Sequence, residues 1–368
     1  MGLAGLHPPS LAIIKYWTMS QTALHPWQVS GAAQTGRYNG VETALSFGSP
    51  ANELAALRSA SGIFALSWRA QINITGKDRV RWLHNMVTNT VRDLAVNRGN
   101  YNFVLNAQGR ILGDLYIFNR GESILLETDS GQIETMVNTL KRFIIMDKVE
   151  LVPAAPELTA LAVCGPQAEK ILASTSIDAS GMAPLEVREF TVDGAACMLI
   201  TGPKKKPGWF EIWLNMPEAQ NLWQKLIASG AQPVGTDAVE MWRVLHGIPN
   251  YGQDIRDSDL PQETSQADAL HFTKGCYIGQ EIVERIRSRG HVHRTFTGFE
   301  FPGTVPVLEK TEADRRAPAE LTSLASIPVP GGERHIGLGY VRREVITPDA
   351  EIDLNGVAAR VVELPFEI

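Results

Sequence analysis

Residues 101–129 read YNFVLN-AQGR-ILGDLYIFN-RGES-ILLETD. The three apolar runs have strand length, and AQGR and RGES are turn-like, so the segment predicts three consecutive strands. Upstream, QINITG alternates as a strand and stops at Gly76. GKDRVRWLHNMVTNTVRDL then sets Val80, Leu83, Val87, Val91 and Leu94 at helical spacing. Downstream, QIETMVNTLKRFIIM is helical, and from LTALAVCG the style repeats: strand, helix (QAEKILAS), strands, and PEAQNLWQKLIASG as a helix closed by Gly230. Two mixed halves of this kind make an α+β body reaching about residue 285. Beyond it the style changes. TFTGFEF alternates, the stretch from Gly303 to Gly332 reads as a Pro-rich loop region, and HIGLGYVRREV and EIDL-NG-VAARVVEL read as strands with a hairpin at Asn355-Gly356. The expected division is a weakly patterned leader (1–45), a two-lobed body (46–288) and an all-β, barrel-like domain (289–368).

Composition bounds the function. Hydrophobic content of 44%, charged content of 20% and a net charge of −6 describe an ordinary globular chain without a broad basic face for nucleic acid or membrane. No run approaches the ~18 apolar residues of a spanning helix, and LAIIKYW is too short and too interrupted by Lys15 for a signal peptide. Cys164, Cys197 and Cys276 are odd in number and far apart, which fits a reducing, cytoplasmic setting better than a disulfide framework.

Four places carry chemistry. In KGCYIGQE (Lys274–Glu281), Ile278, Ile282, Val283 and Ile286 mark a helix beginning near Gly279. Cys276 therefore precedes a helix N-terminus and neighbours Lys274, a setting that favours the thiolate; a small residue in a tight Gly turn is the equal alternative. His291 and His293 could join a metal only with spacing unlike that of closed sites, so no metal site is expected. In GWFEIWL, Trp209, Glu211 and Trp213 share a strand face, suited to a flat heterocycle with paired N–H donors, or to an edge glutamate with exposed neighbours. Asp114 lies on an apolar strand face, as a ligand contact or as the partner of an arginine. Arg243, in AVEMWRVLHGIP, could grip a carboxylate or cover a helix surface. The basic clusters Lys204–Lys206 and Arg285/Arg287/Arg289 could meet a polyanion, although solvated faces are commoner.

With KGCYIGQEIVERIRSRG, VTNTVRDL, YNFVLNAQGRILGD, WFEIWL and WRVLHGIP…LPQE in that order, the chain resembles the folate-dependent T-protein (aminomethyltransferase) superfamily, and within it the YgfZ-type iron–sulfur cluster maintenance proteins. The resemblance implies a three-lobed ring around a pocket for tetrahydrofolate. It implies Glu211, Arg243, Tyr101, Trp209 and Lys274 as cofactor-binding residues, with Cys276 and Asp114 as the reactive ones. Two departures stand out. Gly113-Asp114 replaces the paired aspartates of the transferases, and GPKKKPGWFE replaces their GYTGExGFE. The first reading is an accessory factor with iron–sulfur client or assembly proteins as partners; the second is a folate-dependent aminomethyltransferase. A folate-pocket remnant serving as an interaction scaffold is a third.

Overall fold

An Asn-Gly turn joins the first two strands. The computed structural model describes residues 26–154, 158–308, 317–345, 351–354 and 356–367. β1 (Gln34–Tyr38) and β2 (Val41–Ser46) pair antiparallel around Asn39 and Gly40, both at positive φ (45° and 83°), as a two-residue type I′ connection requires. The leader expected through residue 45 is thus structured from Pro26 onward; its first 25 residues lie outside the described ones. Tyr38-Asn39-Gly40-Val41 was the available signal.

Helix α1 (Pro50–Ser59) leads to β3 (Gly62–Ala65) and β4 (Arg69–Thr75). A short α2 (Arg79–His84) follows, then β5 (Gly99–Leu105), β6 (Ile111–Asn119) and β7 (Ile124–Asp129), the three strands read from sequence. α3 (Ile133–Lys141) and β8 (Glu150–Pro153) complete an antiparallel sheet in the order β5-β6-β7-β4-β8. Alternation along β6 sends Ile111, Leu115 and Ile117 into buried packing, while Leu112, Asp114 and Tyr116 stay half-buried on the opposite face.

β9 (Leu158–Cys164), α4 (Ala168–Ser174), β10 (Val187–Val192), β11 (Ala195–Thr201), β12 (Trp209–Asn215), α5 (Met216–Ala228), β13 (Gln232–Pro233) and α6 (Thr236–Leu245) build the second lobe. Its sheet runs β10-β11-β12-β9-β3-β13. Strand β3 therefore crosses from the first half of the chain into the second lobe. Every residue of β3 is buried, so it needs a sheet covered on both faces. β12 is covered on both faces as well: Phe210, Ile212 and Leu214 join one core cluster, Trp209 and Trp213 the other.

The last part holds α7 (Gln280–Arg289), β14 (Arg294–Phe301), β15 (Ala319–Val329), β16 (Gly332–Arg342), β17 (Glu351–Leu354) and β18 (Val357–Val362). Its antiparallel sheet has the order β15-β16-β14-β18-β17. Much of the stretch expected as Pro-rich loop is in fact β15. Its Pro328 is tolerated because β15 is an edge strand. β17 and β18 pair as the hairpin expected around Asn355-Gly356, with Asn355 itself outside the described residues. Ion pairs fasten this sheet to the body: Arg294 meets Asp259 at 2.5 Å and Arg256 meets Glu320 at 2.6 Å, while Arg294 also meets Glu320 at 2.9 Å within the sheet. Among the described residues, no helix is long and apolar enough to cross a membrane.

Candidate functional site

The pleat of β5 and β6 brings Tyr101 and Asp114 to a cavity of about 310 Å³, within the usual range of ligand pockets. The hairpin (Tyr38), β4 (Arg69), β7 (Asp129), β12 (Trp209, Glu211) and α6 (Trp242, Arg243) also line it. Tyr101 Oη donates to Asp114 Oδ2 at 2.6 Å, and Gln132 Nε2 donates to Oδ1 at 2.8 Å. Burial, reinforced by Asp129, raises the Asp114 carboxyl above its ordinary range. Gly113, where the resemblance implies a second aspartate, faces the other way. A Cβ there would lie 2.5 Å from Met136 Cε and 2.9 Å from Gln132 Oε1. Its replacement therefore takes no carboxylate from the cavity.

Glu211 lies between the two indoles, as the strand-face argument anticipated, and both are its donors. Trp209 Nε1 reaches Oε1 at 2.8 Å and Trp213 Nε1 reaches Oε2 at 3.3 Å. The carboxylate is only 7% exposed, so these bonds offset its burial. The Lys206 ammonium sits 4.3 Å from the Trp209 ring centroid. Burial lowers the Lys206 pKa, and Glu211, Glu127 and Asp129 oppose that shift.

Sequence reasoning missed the group beneath this floor. Arg69 donates to Glu127 Oε1 through Nε (2.9 Å) and Nη2 (2.7 Å), and to Asp129 Oδ1 through Nη1 (2.6 Å). Glu127 is 2% exposed, and Arg69 is its hydrogen-bonding partner. Burial first, and the Glu211 charge next, push its carboxyl well above the usual range. The acid inside ILLETD was the visible signal, but it reads equally as a turn-proximal residue.

Three expected site residues sit differently. Arg243 lines the cavity, yet all its N–H groups are engaged. Nε and Nη2 go to Glu240, Nη1 to Asp254 and to the Ile248 carbonyl (both 2.6 Å), and Nη2 also to Ser323 Oγ (2.7 Å). A ligand carboxylate would have to displace one of them. Lys274 is outside the cavity lining, and its ammonium is buried against the carbonyls of His84 (2.5 Å), Val87 (2.5 Å) and Asn89 (2.7 Å). Cys276 is exposed, also outside the lining, while Cys164 and Cys197 are buried. Its loop ends at Gly279, the N-cap of α7, with φ 81°. A Cβ on Gly279 would lie 2.6 Å from the Asn106 carbonyl oxygen, so the loop requires glycine there. Among the described residues, no group of three or more His, Cys, Asp or Glu is arranged for a metal.

Known proteins share this architecture. Residues 24–274 match the GCVT N-terminal domain, and the chain belongs to that family. The aminomethyltransferase of Rubrobacter xylanophilus is 29% identical over 359 residues, 95% of this chain and 94% of the relative. That of Thermoanaerobacter pseudethanolicus is 30% identical over 264 residues, 70% of this chain and 71% of the relative. The crystal structure of glycine cleavage system aminomethyltransferase T from Bartonella henselae matches with a TM-score of 0.81 at 22% identity, covering 91% of this chain and 94% of that one. That last likeness establishes the fold, α+β with several lobes. The resemblance to the T-protein superfamily holds. The narrower likeness to the YgfZ-type branch rests on the Cys276 motif.

Proposed function

We propose that the cavity binds tetrahydrofolate or a derivative and that the protein is a folate-dependent one-carbon transferase of aminomethyltransferase type. The observation that carries this reading is Glu211, fixed by two indoles in a cavity that also holds the Asp114–Tyr101 pair. The kinship with proteins named aminomethyltransferase moves this reading, second from sequence, ahead of the accessory one. The pocket's chemistry fits the cofactor. Both Glu211 oxygens accept an indole N–H and retain acceptor capacity toward a planar ring. Lys204 and Lys205 on the cavity wall are candidates for the glutamate carboxylates, since Arg243 is engaged. The folate supplies the nitrogen that carries the one-carbon unit. Asp114, kept in place by Tyr101 and Gln132, holds or receives a proton beside it. The test is calorimetric binding of tetrahydrofolate, with methylene-folate formation from an aminomethylated lipoyl donor. Asp114→Asn should retain binding within about tenfold and lose about 10²–10⁴ in rate. Absence of turnover in the wild type would remove the transferase reading.

A second reading rests on a separate observation, the exposed Cys276 on a loop pinned outside the cavity. We infer that in this case the protein is a folate-binding accessory factor for iron–sulfur proteins in a reducing cytoplasm, with Cys276 as the thiolate that meets them. Cys276→Ala should then bind folate normally yet fail to restore iron–sulfur enzyme activity in cells lacking the protein. Full restoration would discard it.

A further inference from the structure

The lysine triplet that reads as one basic cluster in the sequence divides in the fold. Lys204 is exposed, Lys205 donates to Gln266 Oε1 at 3.0 Å, and Lys206 turns inward to line the cavity. The Lys206 backbone is held on both sides. Its amide donates to the Pro203 carbonyl at 2.7 Å, and Gly208 closes the loop at φ 64°, where a Cβ would lie 2.6 Å from the Gly165 carbonyl oxygen. The ammonium sits over the Trp209 ring, 4.3 Å from its centroid, and the edge of that same ring donates Nε1–H to Glu211. Among the described residues, none accepts a hydrogen bond from Lys206 Nζ or forms an ion pair with it. A ring face offers an ammonium less than an oxygen acceptor does, so its three N–H donors are under-satisfied by the protein.

Glu211 and Lys206 present a fixed row to the cavity. A carboxylate has about four acceptor positions, and the indoles take one on each Glu211 oxygen, which leaves one on each. Beside them, on the face of Trp209, stands a donor that lacks an acceptor. The row matches a ring edge with two adjacent N–H donors followed by a carbonyl oxygen, the edge of a 2-amino-4-oxo heterocycle. A 2,4-diamino heterocycle carries an N–H group where that oxygen would be, and an ammonium cannot accept from it. We propose that Lys206 is a specificity-determining residue that donates to the ring carbonyl oxygen and so selects amino-oxo over diamino heterocycles. The selection is both attractive and repulsive, because the wrong ring sets donor against donor. It rests on the folate reading above and names the ring edge by which that ligand is chosen.

Calorimetry on the full chain with tetrahydrofolate and its 4-amino counterpart, which differs at that ring position alone, tests the assignment. Lys206→Met keeps an unbranched side chain on the Trp209 ring and removes the donor. It should weaken tetrahydrofolate about tenfold and leave the 4-amino compound unchanged or tighter, so the preference for the oxo ring falls by at least that factor. Lys206→Gln, whose amide can donate or accept, should bind the two compounds alike. Equal weakening of both ligands, the result of a merely displaced loop, overturns the assignment, as does a wild-type preference retained in both variants. In either case the wild type still binds tetrahydrofolate and the proposed function stands. A wild type that binds neither compound overturns the function, and the role of Lys206 falls with it.

Discussion

At Glu211 a single carboxylate is asked to satisfy two buried indole N–H groups before any ligand arrives. Replacing it by glutamine supplies one acceptor oxygen and turns an NH₂ toward the other indole, leaving donor against donor. Glu211→Gln should therefore weaken tetrahydrofolate roughly hundredfold and cost about 1–3 kcal/mol of stability, read by calorimetry and denaturant titration. His84 has the opposite character. It is buried, Nδ1 accepts from the Val91 and Arg92 amides, and Nε2 lies 2.8 Å from the Lys274 carbonyl, so the ring is neutral with its proton on Nε2. Burial lowers its pKa below the ordinary value of about 6.5. With the folded pKa depressed, the unfolded chain binds the extra proton first. The His84 contribution should thus be complete above about pH 6.5 and decline as pH falls toward the folded value, a slope that His84→Gln should flatten in urea titrations. The Trp209–Glu211–Trp213 face was legible because period-2 alternation fixes it locally. Glu127 was not, since its partner Arg69 is 58 positions away and the Glu211 charge that acts on it comes from another sheet.

Among the elements, α2 shows how a distant side chain can shorten a helix. The spacing of Val80, Leu83, Val87, Val91 and Leu94 promised a long one, yet the helix stops at His84. The carbonyls of His84, Val87 and Asn89 accept from the Lys274 ammonium, and the amides of Val91 and Arg92 turn to the His84 ring. Burial pulls the Lys274 pKa to about 7, against three carbonyls that match its three N–H donors. Lys274→Met fills the volume but leaves those acceptors without a donor. It should lower stability by about 3–5 kcal/mol in denaturant melts and loosen the Cys276 loop without altering the cavity walls. A loss under about 1 kcal/mol would mean the carbonyls find water instead. The strands of residues 101–129 and helix α7 were readable because turn chemistry and apolar period agree there. β15 was hidden by Pro328 and the prolines flanking it; the one within the strand is accepted because β15 is an edge strand.

Across the whole molecule, the α+β architecture and the small terminal sheet followed from the alternation of periods along the chain. The closure of the site did not. Hairpin β1–β2 supplies Tyr38, whose hydroxyl donates to Glu240 at 3.1 Å, and the terminal sheet supplies Ser323, which holds Arg243 from outside the cavity. Both are long-range events invisible to local pattern. One crossing also governs how the chain can be divided. Strand β3 is synthesised early but lies between β9 and β13 of the second lobe. A break in the connection at residues 155–157, which follows β8, would leave β3 on one fragment and its sheet partners on the other. Neither fragment should give a cooperative melt alone, and the two expressed together should recover one: the lobes are a single folding transaction, with the second waiting for a strand already made.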